Sequence, residues 1–305
     1  MSRSRLPLTS QGTRPEAVTA GDWGLLGAAA LMWGSSFVLI AIGVDHLAPS
    51  VVAAGRLVFG IVVLVLFAKA RRPMPREEWP RVALLGVVWV GAPFLLFPIA
   101  QQWVDSSLAG VVNSSLPVFA AIIAAILLRK APRPIVATGL ALGFVGVVVV
   151  SGPTATGGGR EALGVSLLVM AVISYAIAIN AAVPLQQRYG SLPTVLHMLV
   201  AGLILVTPFA LLGLPASDPD PGSILAVAAL GIFGTGLAFV FYTDVLGRIG
   251  ATRSSVVTYF FPVIAIVLGA MFRDEPVTLA MLGGAALILV GAWLSGRSEK
   301  RPAEA

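Results

Sequence analysis

The chain has 305 residues, 57% of them hydrophobic and 11% charged, with a formal net charge of +6. A soluble domain carries roughly 25% charged residues, so composition and a mean hydropathy of +0.94 exclude a surface that faces water all round. With no cysteine and two histidines, disulfides, thiolate metal sites and cysteine nucleophiles are excluded as well.

Residues 1–21 are polar, with Arg3, Arg5, Arg14 and Pro15, and lack the short apolar core and cleavage site of a signal peptide. They read as a cytoplasmic tail. One spanning helix needs about 20 mostly apolar residues. Ten such runs follow, over 22–44, 49–69, 81–102, 106–128, 134–152, 163–186, 192–213, 223–246, 251–272 and 276–296. Turn or charge signals separate them, among them Asp45-His46, Arg71-Arg72-Pro73, Asp105, Lys130 to Arg133, Gly157-Gly158-Gly159, Pro215 to Gly222 and Asp274-Glu275-Pro276. Barrel strands alternate apolar and polar residues over roughly ten positions, whereas these runs are uniformly apolar and longer. The predicted fold class is an all-α integral membrane protein with ten transmembrane helices, both termini cytoplasmic, in the cell (plasma) membrane.

The orientation rests on the basic residues. With the N-terminus inside, 17 of the 20 Lys and Arg fall in cytoplasmic segments and only Arg160 and Arg273 fall outside, the bias expected of multi-pass proteins. Their scatter between apolar runs argues against a nucleic-acid surface. Arg56 lies inside a span.

An internal repeat is also visible. Residues 85–150 slide onto 230–295 at an offset of 145 with 15 identities in 66 positions. Gly86, Gly91, Phe94, Pro117, Gly139 and Gly146 fall on Gly231, Gly236, Phe239, Pro262, Gly284 and Gly291. Arg129-Lys130 falls on Asp274-Glu275, a change of sign. Five spans per half is an odd number, so the second half enters the membrane upside down and the same loop changes sides. The expected organisation is a first repeat at 22–152, an external linker at 153–162, a second repeat at 163–296 and a cytoplasmic tail at 297–305. Such inverted repeats recur in secondary transporters, with the substrate site near the midplane.

The chain resembles the EamA family of the drug/metabolite transporter superfamily over about 20–298. The resemblance rests on Trp33-Gly34-Ser35-Ser36-Phe37, Ile42-Gly43 and Pro49, on Ala54-Gly55-Arg56-Leu57, on Ala109 to Pro117 with the run to Leu128, and on Ser255 to Pro262 followed by Asp274-Glu275-Pro276. It implies two five-span halves around a central cavity and a carrier of small metabolites, often an exporter of amino acids or similar compounds. Arg129-Lys130 departs from the Gly-Glu often found there, so that loop receives no role.

Several residues are candidates for substrate contact. Arg56, about 10 Å into its span at 1.5 Å per residue, reads either as a counter-charge for an acidic substrate group or as a side chain that bonds carbonyls or snorkels outward. Asn113 and its repeat mate Thr258, beside Tyr259, precede Pro117 and Pro262. They either satisfy backbone carbonyls freed by proline or bind substrate. Trp33, Trp89, Phe94, Tyr175 and Phe239 offer aromatic surface, and Asn180 a further amide. Pro93, Pro117 and Pro262 mark helix breaks or hinges. Asp244 reads as a proton-coupling carboxylate or as an i,i+4 ion pair with Arg248, and His197 as a titrating group or an interhelical tie.

There is no phosphate-binding glycine loop, no H-E-x-x-H and no intramembrane carboxylate pair, so no cofactor, metal or catalytic residue is expected. The expected partners are a small-molecule substrate and the bilayer, with a homodimer compatible. The leading expectation is a secondary transporter working by alternating access. A membrane-embedded enzyme acting on a lipid-linked substrate, and a non-transporting scaffold or sensor, are the alternatives.

Overall fold

The computed structural model describes residues 19–129, 131–156, 158–249 and 255–296. Among them every regular element is a helix and no strand occurs. The basic residues of the two tails, with Lys130 and Arg253, lie outside the described residues, as does the start of the run expected at 251–272; the Arg248 side chain is likewise not described.

Helix α1 (Ala20–Gly34) starts at a capping box: the Asp22 N–H donates to the Thr19 hydroxyl at 3.2 Å, and the Thr19 N–H to the Asp22 carboxylate at 3.0 Å. It breaks at Ser35 and resumes as α2 (Ser36–Val44), where the Ser35 and Ser36 hydroxyls both donate to the Met32 carbonyl. Helix α3 (Pro49–Val65) opens with proline in its first turn, where no intrahelical donor is lost. Helices α4 (Trp79–Leu85) and α5 (Ala92–Ala100) are joined through a π-helical turn at Gly86–Gly91. Helices α6 (Ser106–Asn113) and α7 (Leu116–Leu128) are separated at Ser114-Ser115. Then come α8 (Pro134–Ala155), α9 (Gly159–Tyr189) and α10 (Ser191–Gly213). Helices α11 (Pro221–Gly231) and α12 (Ala238–Ile249) are joined by a second π turn at Ile232–Leu237. A 3-10 turn at Ser255–Phe260 leads into α13 (Phe261–Arg273), and α14 (Leu279–Gly296) ends the fold.

Among the described residues seven continuous stretches are long and apolar enough to cross a bilayer, and three shorter apolar helices, Pro49–Val65, Val257–Arg273 and Leu279–Ser295, stand beside them. Large apolar side chains remain exposed on the periphery, Leu212, Leu225, Met271 and Leu279 among them, as a lipid-facing surface requires.

Packing follows a mirrored scheme. Helix α3 packs on α10, α6 on α13 and α8 on α14; α3 touches the second π turn as α10 touches the first. Glycine decides the closest of these contacts. A Cβ on Gly139 would lie 2.7 Å from the Gly291 carbonyl oxygen, and one on Gly146 2.7 Å from that of Gly284. Backbones therefore meet where side chains would otherwise intervene. Helices α7 and α13 both end in a left-handed residue, Arg129 at φ 50° and Asp274 at φ 51°, and these two positions are 145 residues apart.

Candidate functional site

A cavity of about 310 Å³ lies between α1–α2, α3, the first π turn with α5, the α6–α7 break, α9, α12 and the 3-10 turn before α13. That is within the size range of small-molecule sites, roughly 300–1,000 Å³. Trp33, Arg56, Trp89, Phe94, Asn113, Tyr175, Phe239 and Thr258 all line it, so eight of the ten side chains singled out in the sequence converge on one space.

Close approach of α3 to the second π turn creates the polar centre. A Cβ on Gly231 would lie 2.7 Å from the Arg56 carbonyl oxygen, and one on Gly60 2.7 Å from the Thr235 methyl. With both absent, Thr235, fully buried in the π turn, sits against Arg56. The Arg56 Nε donates to the Thr235 hydroxyl at 2.8 Å, and the guanidinium carbon stands 3.8 Å from the Phe94 ring centroid. Arg56 is 7% exposed, so it does not snorkel to the bilayer surface. Its other N–H groups have no protein acceptor and its charge no ion pair among the described residues. It is also the only charged side chain on the described cavity wall.

The walls are aromatic. Trp33 meets Phe239, Tyr242 and Phe261 at ring-centroid distances of 5.7, 5.1 and 6.0 Å, and Trp89 meets Phe239 at 6.4 Å. Tyr175 stacks on Phe97 at 5.9 Å. The π turn frees the Val88 carbonyl, which accepts the Ser174 hydroxyl at 2.6 Å.

At the α6–α7 break the structure bears on the two readings of Asn113. The Ser114 and Ser115 hydroxyls donate to the Val111 and Val112 carbonyls, each at 2.6 Å. Asn113 takes no part in this, and its side-chain oxygen is buried with no partner. Pro117 stands in the first turn of α7, Pro262 in that of α13 and Pro93 in that of α5, so all three follow an interruption of regular helix.

Two candidates lie away from the cavity. Asn180 donates to the Ala120 and Ala176 carbonyls at 3.1 and 2.9 Å and so ties α9 to α7. It lies five positions after Tyr175, and a helix carries side chains so spaced to different faces. Tyr259 is half-buried outside the lining set, one step round the 3-10 turn from Thr258. Asp244 is exposed on α12. His197 bonds the Pro193 carbonyl of its own helix through Nδ1 at 2.8 Å and meets Trp79 edge-on, so it faces away from the cavity.

Ser36, Phe37, Ile40, Gln186, Tyr242 and Thr243 line the cavity without having been singled out. A helical stripe would have found half of them: Ser36, Phe37 and Ile40 follow Trp33 at i+3, i+4 and i+7.

The two ends of the bundle differ. At one end Glu275 reaches across to α6, accepting the Ser106 N–H at 2.7 Å, the Ser107 N–H at 2.8 Å and both serine hydroxyls. Arg273 forks onto both oxygens of Asp45 beside it, with Nη2 2.9 Å from Oδ1. Burial first, and then the Glu275 charge, hold the Asp105 carboxyl above the usual carboxylate range. Beneath this cluster Ile40 and Phe97 are sealed at 1% and 2% exposure. Toward the other end the cavity reaches Gln186, Tyr242 and Thr243, which remain partly exposed. There Glu78 gathers Arg81 and Arg188 at 3.0 and 3.4 Å. No group of three or more metal-ligating side chains occurs among the described residues.

Comparison with known proteins gives a consistent picture. The model of the EamA-like transporter family matches residues 21–152 and again 162–297. An uncharacterised transporter of Archaeoglobus fulgidus is 26% identical over 89% of this chain and 97% of its own length. The uncharacterised inner membrane transporter YedA of Escherichia coli (strain K12) is 27% identical over 83% of each chain. A protein of Streptantibioticus cattleyicolor named a "probable terminal-alkyne amino-acid exporter" is 26% identical over 87% of this chain and 90% of its own. One crystal structure superposes at a TM-score of 0.64 with 21% identity, covering 93% of this chain and 100% of that one, and shares the fold.

Proposed function

The chain belongs to the EamA-like transporter family, and from that premise we propose that it is a secondary transporter that exports small metabolites, such as amino acids or related compounds, by alternating access. It is a membrane protein with transporter relatives. The finer reading is ten spans in two inverted halves, 22–152 and 163–296, with both termini cytoplasmic. The mirrored packing, the two π turns and the left-handed residues at Arg129 and Asp274 support it, as does the division of the family match into two segments.

The observation that carries the proposal is the cavity. It is walled by elements from both halves, meets a buried cation, is closed beneath the Glu275 cluster and reaches partly exposed side chains at the opposite end. On the proposed orientation the closed end faces outward, so the structure corresponds to an inward-facing state. Rocking of the halves about the glycine contacts would exchange access. The relative named as an amino-acid exporter favours that substrate class over nucleosides or organic cations.

Counterflow in proteoliposomes tests this, with labelled amino acids, nucleosides and organic cations supplied in turn. Saturable, self-competed exchange of amino acids that weakens in Asn113→Ala is expected. Folded protein that exchanges none of the three classes would overturn the transport reading.

A further inference from the structure

Resting on the transport reading of the cavity, we infer that its substrate is a monocarboxylate with an apolar or aromatic body, and that Arg56 is the residue that selects it. An ionised side chain within a span faces the bundle interior or a water-filled cavity and finds a partner there. Arg56 meets the first condition: it is 7% exposed and lines the cavity. Its partner among the described residues is one neutral hydroxyl, that of Thr235, with a ring face at Phe94. A guanidinium carries five N–H donors in a planar fork. Nε is committed to Thr235, which fixes the plane of the fork, and stacking on Phe94 restrains the ring-facing side. The terminal nitrogens are left to the cavity. A carboxylate matches that fork in shape and charge and accepts two parallel hydrogen bonds from it.

The same lining sets the net charge of the ligand. Arg56 is the only charged group on the described wall, so one negative charge is balanced and a second is not. A phosphate dianion would bring an uncompensated charge into an apolar space. A cation without an acid group would meet Arg56 as a like charge. The rest of the wall, Trp33, Trp89, Phe97, Tyr175 and Phe239, takes an apolar body. Asn113 supplies the second polar contact. It lines the cavity and is 8% exposed, its amide has no hydrogen bond to the described residues, and its oxygen is buried without a partner. An amide can turn either its oxygen or its nitrogen to a ligand. It therefore accepts the amine of an amino acid without demanding one.

The test compares ligands that differ at the acid or at the amine. Thermal stabilisation of the purified, detergent-solubilised protein is measured with L-phenylalanine, L-phenylalaninamide and 3-phenylpropionate. The two acids are expected to bind and the amide to bind at least about tenfold more weakly, the loss expected for one charge-assisted hydrogen bond or more. In Arg56→Gln the difference between acid and amide should collapse. In Arg56→Lys, which keeps the charge but loses the fork, it should shrink. Equal binding of acid and amide by the unaltered protein, or no binding of either acid, overturns the inference without any variant having to fold. Counterflow of a neutral or cationic compound with no preference for acids would overturn it while leaving transport standing. Acid-selective binding with no counterflow of any compound would sustain it and remove the transport reading instead.

Discussion

Arg56 and Asn180 are both polar side chains in apolar helices, and what stands opposite each decides its role. Asn180 finds two carbonyls within 3.1 Å and becomes a tie between α9 and α7. Arg56 finds a hydroxyl, a ring and open space. Glycine acts at the same scale by subtraction. At Gly146 an added Cβ would meet the Gly284 carbonyl oxygen at 2.7 Å and the Ile288 backbone nitrogen at 2.8 Å, and backbone cannot swing aside as a side chain tip can. Gly146→Leu is therefore expected to separate α8 from α14 and to destabilise the protein by about 1–3 kcal/mol or more, read as a lowered unfolding temperature in detergent. Gly152 has nothing within 4 Å of its Cβ position, so Gly152→Ala should leave that temperature nearly unchanged. Equal effects would show that the glycine contact does not hold these helices together.

Interrupted helices are the recurring device among the elements. Breaks at Ser35 and at Ser114-Ser115, and π turns at Gly86–Gly91 and Ile232–Leu237, all lie beside the cavity. Hydroxyls bond carbonyls at these interruptions, as Ser174 does for Val88 and Ser114 for Val111, which suits irregular backbone at membrane depth. The left-handed turn at Asp274 directs Glu275 back toward α6, where its carboxylate accepts two backbone N–H groups and two hydroxyls. Hydrogen bonds to a charged group contribute roughly 1.5–3 kcal/mol each, so this contact weighs heavily in keeping its end closed. Glu275→Ala is expected to populate the state open at that end. With Leu116→Cys as the only thiol, a membrane-impermeant maleimide added from outside should label the cavity several-fold faster when Glu275 is replaced by Ala. Unchanged labelling would show that Glu275 only stabilises the fold.

For the whole molecule the question is which way it sits. The orientation proposed from the basic bias would put the segment after α3 in the cytoplasm and the α10–α11 connection outside. Because the chain has no cysteine, single thiols report this directly. Asp218→Cys should react with an impermeant reagent in intact cells, and Arg72→Cys only after the membrane is opened. The reverse pattern would invert the assignment and place the Glu275 cluster on the cytoplasmic side.

Much was legible in advance because it is written in local chemistry. Uniform apolar runs predict helices, and most observed bounds fall within a few residues of the predicted ones: 106–128 matches Ser106 to Leu128, and 192–213 nearly matches Ser191–Gly213. The third run begins earlier than expected, because a turn at Arg76–Glu78 leads into Trp79, and α3 stops at Val65 rather than 69. Glycines and prolines at an offset of 145 residues marked the helix contacts and breaks, since few other residues permit either. The aromatic candidates came together because each sits on the inward face of its own helix. Long-range pairing was not legible. Nothing in the local sequence says that Thr235 would meet Arg56 across 179 positions, that Glu275 would cap α6, or that Ser114 and Ser115 rather than Asn113 would bond the carbonyls at the α6–α7 break. Hydropathy, charge bias and repeat are properties of segments, so the sequence alone determined the helical membrane class, the family and the candidate residues. Which side chains share a cavity, which carboxylate closes an end and which cation keeps free donors depend on contacts between segments far apart in the chain, and tertiary packing alone decided them.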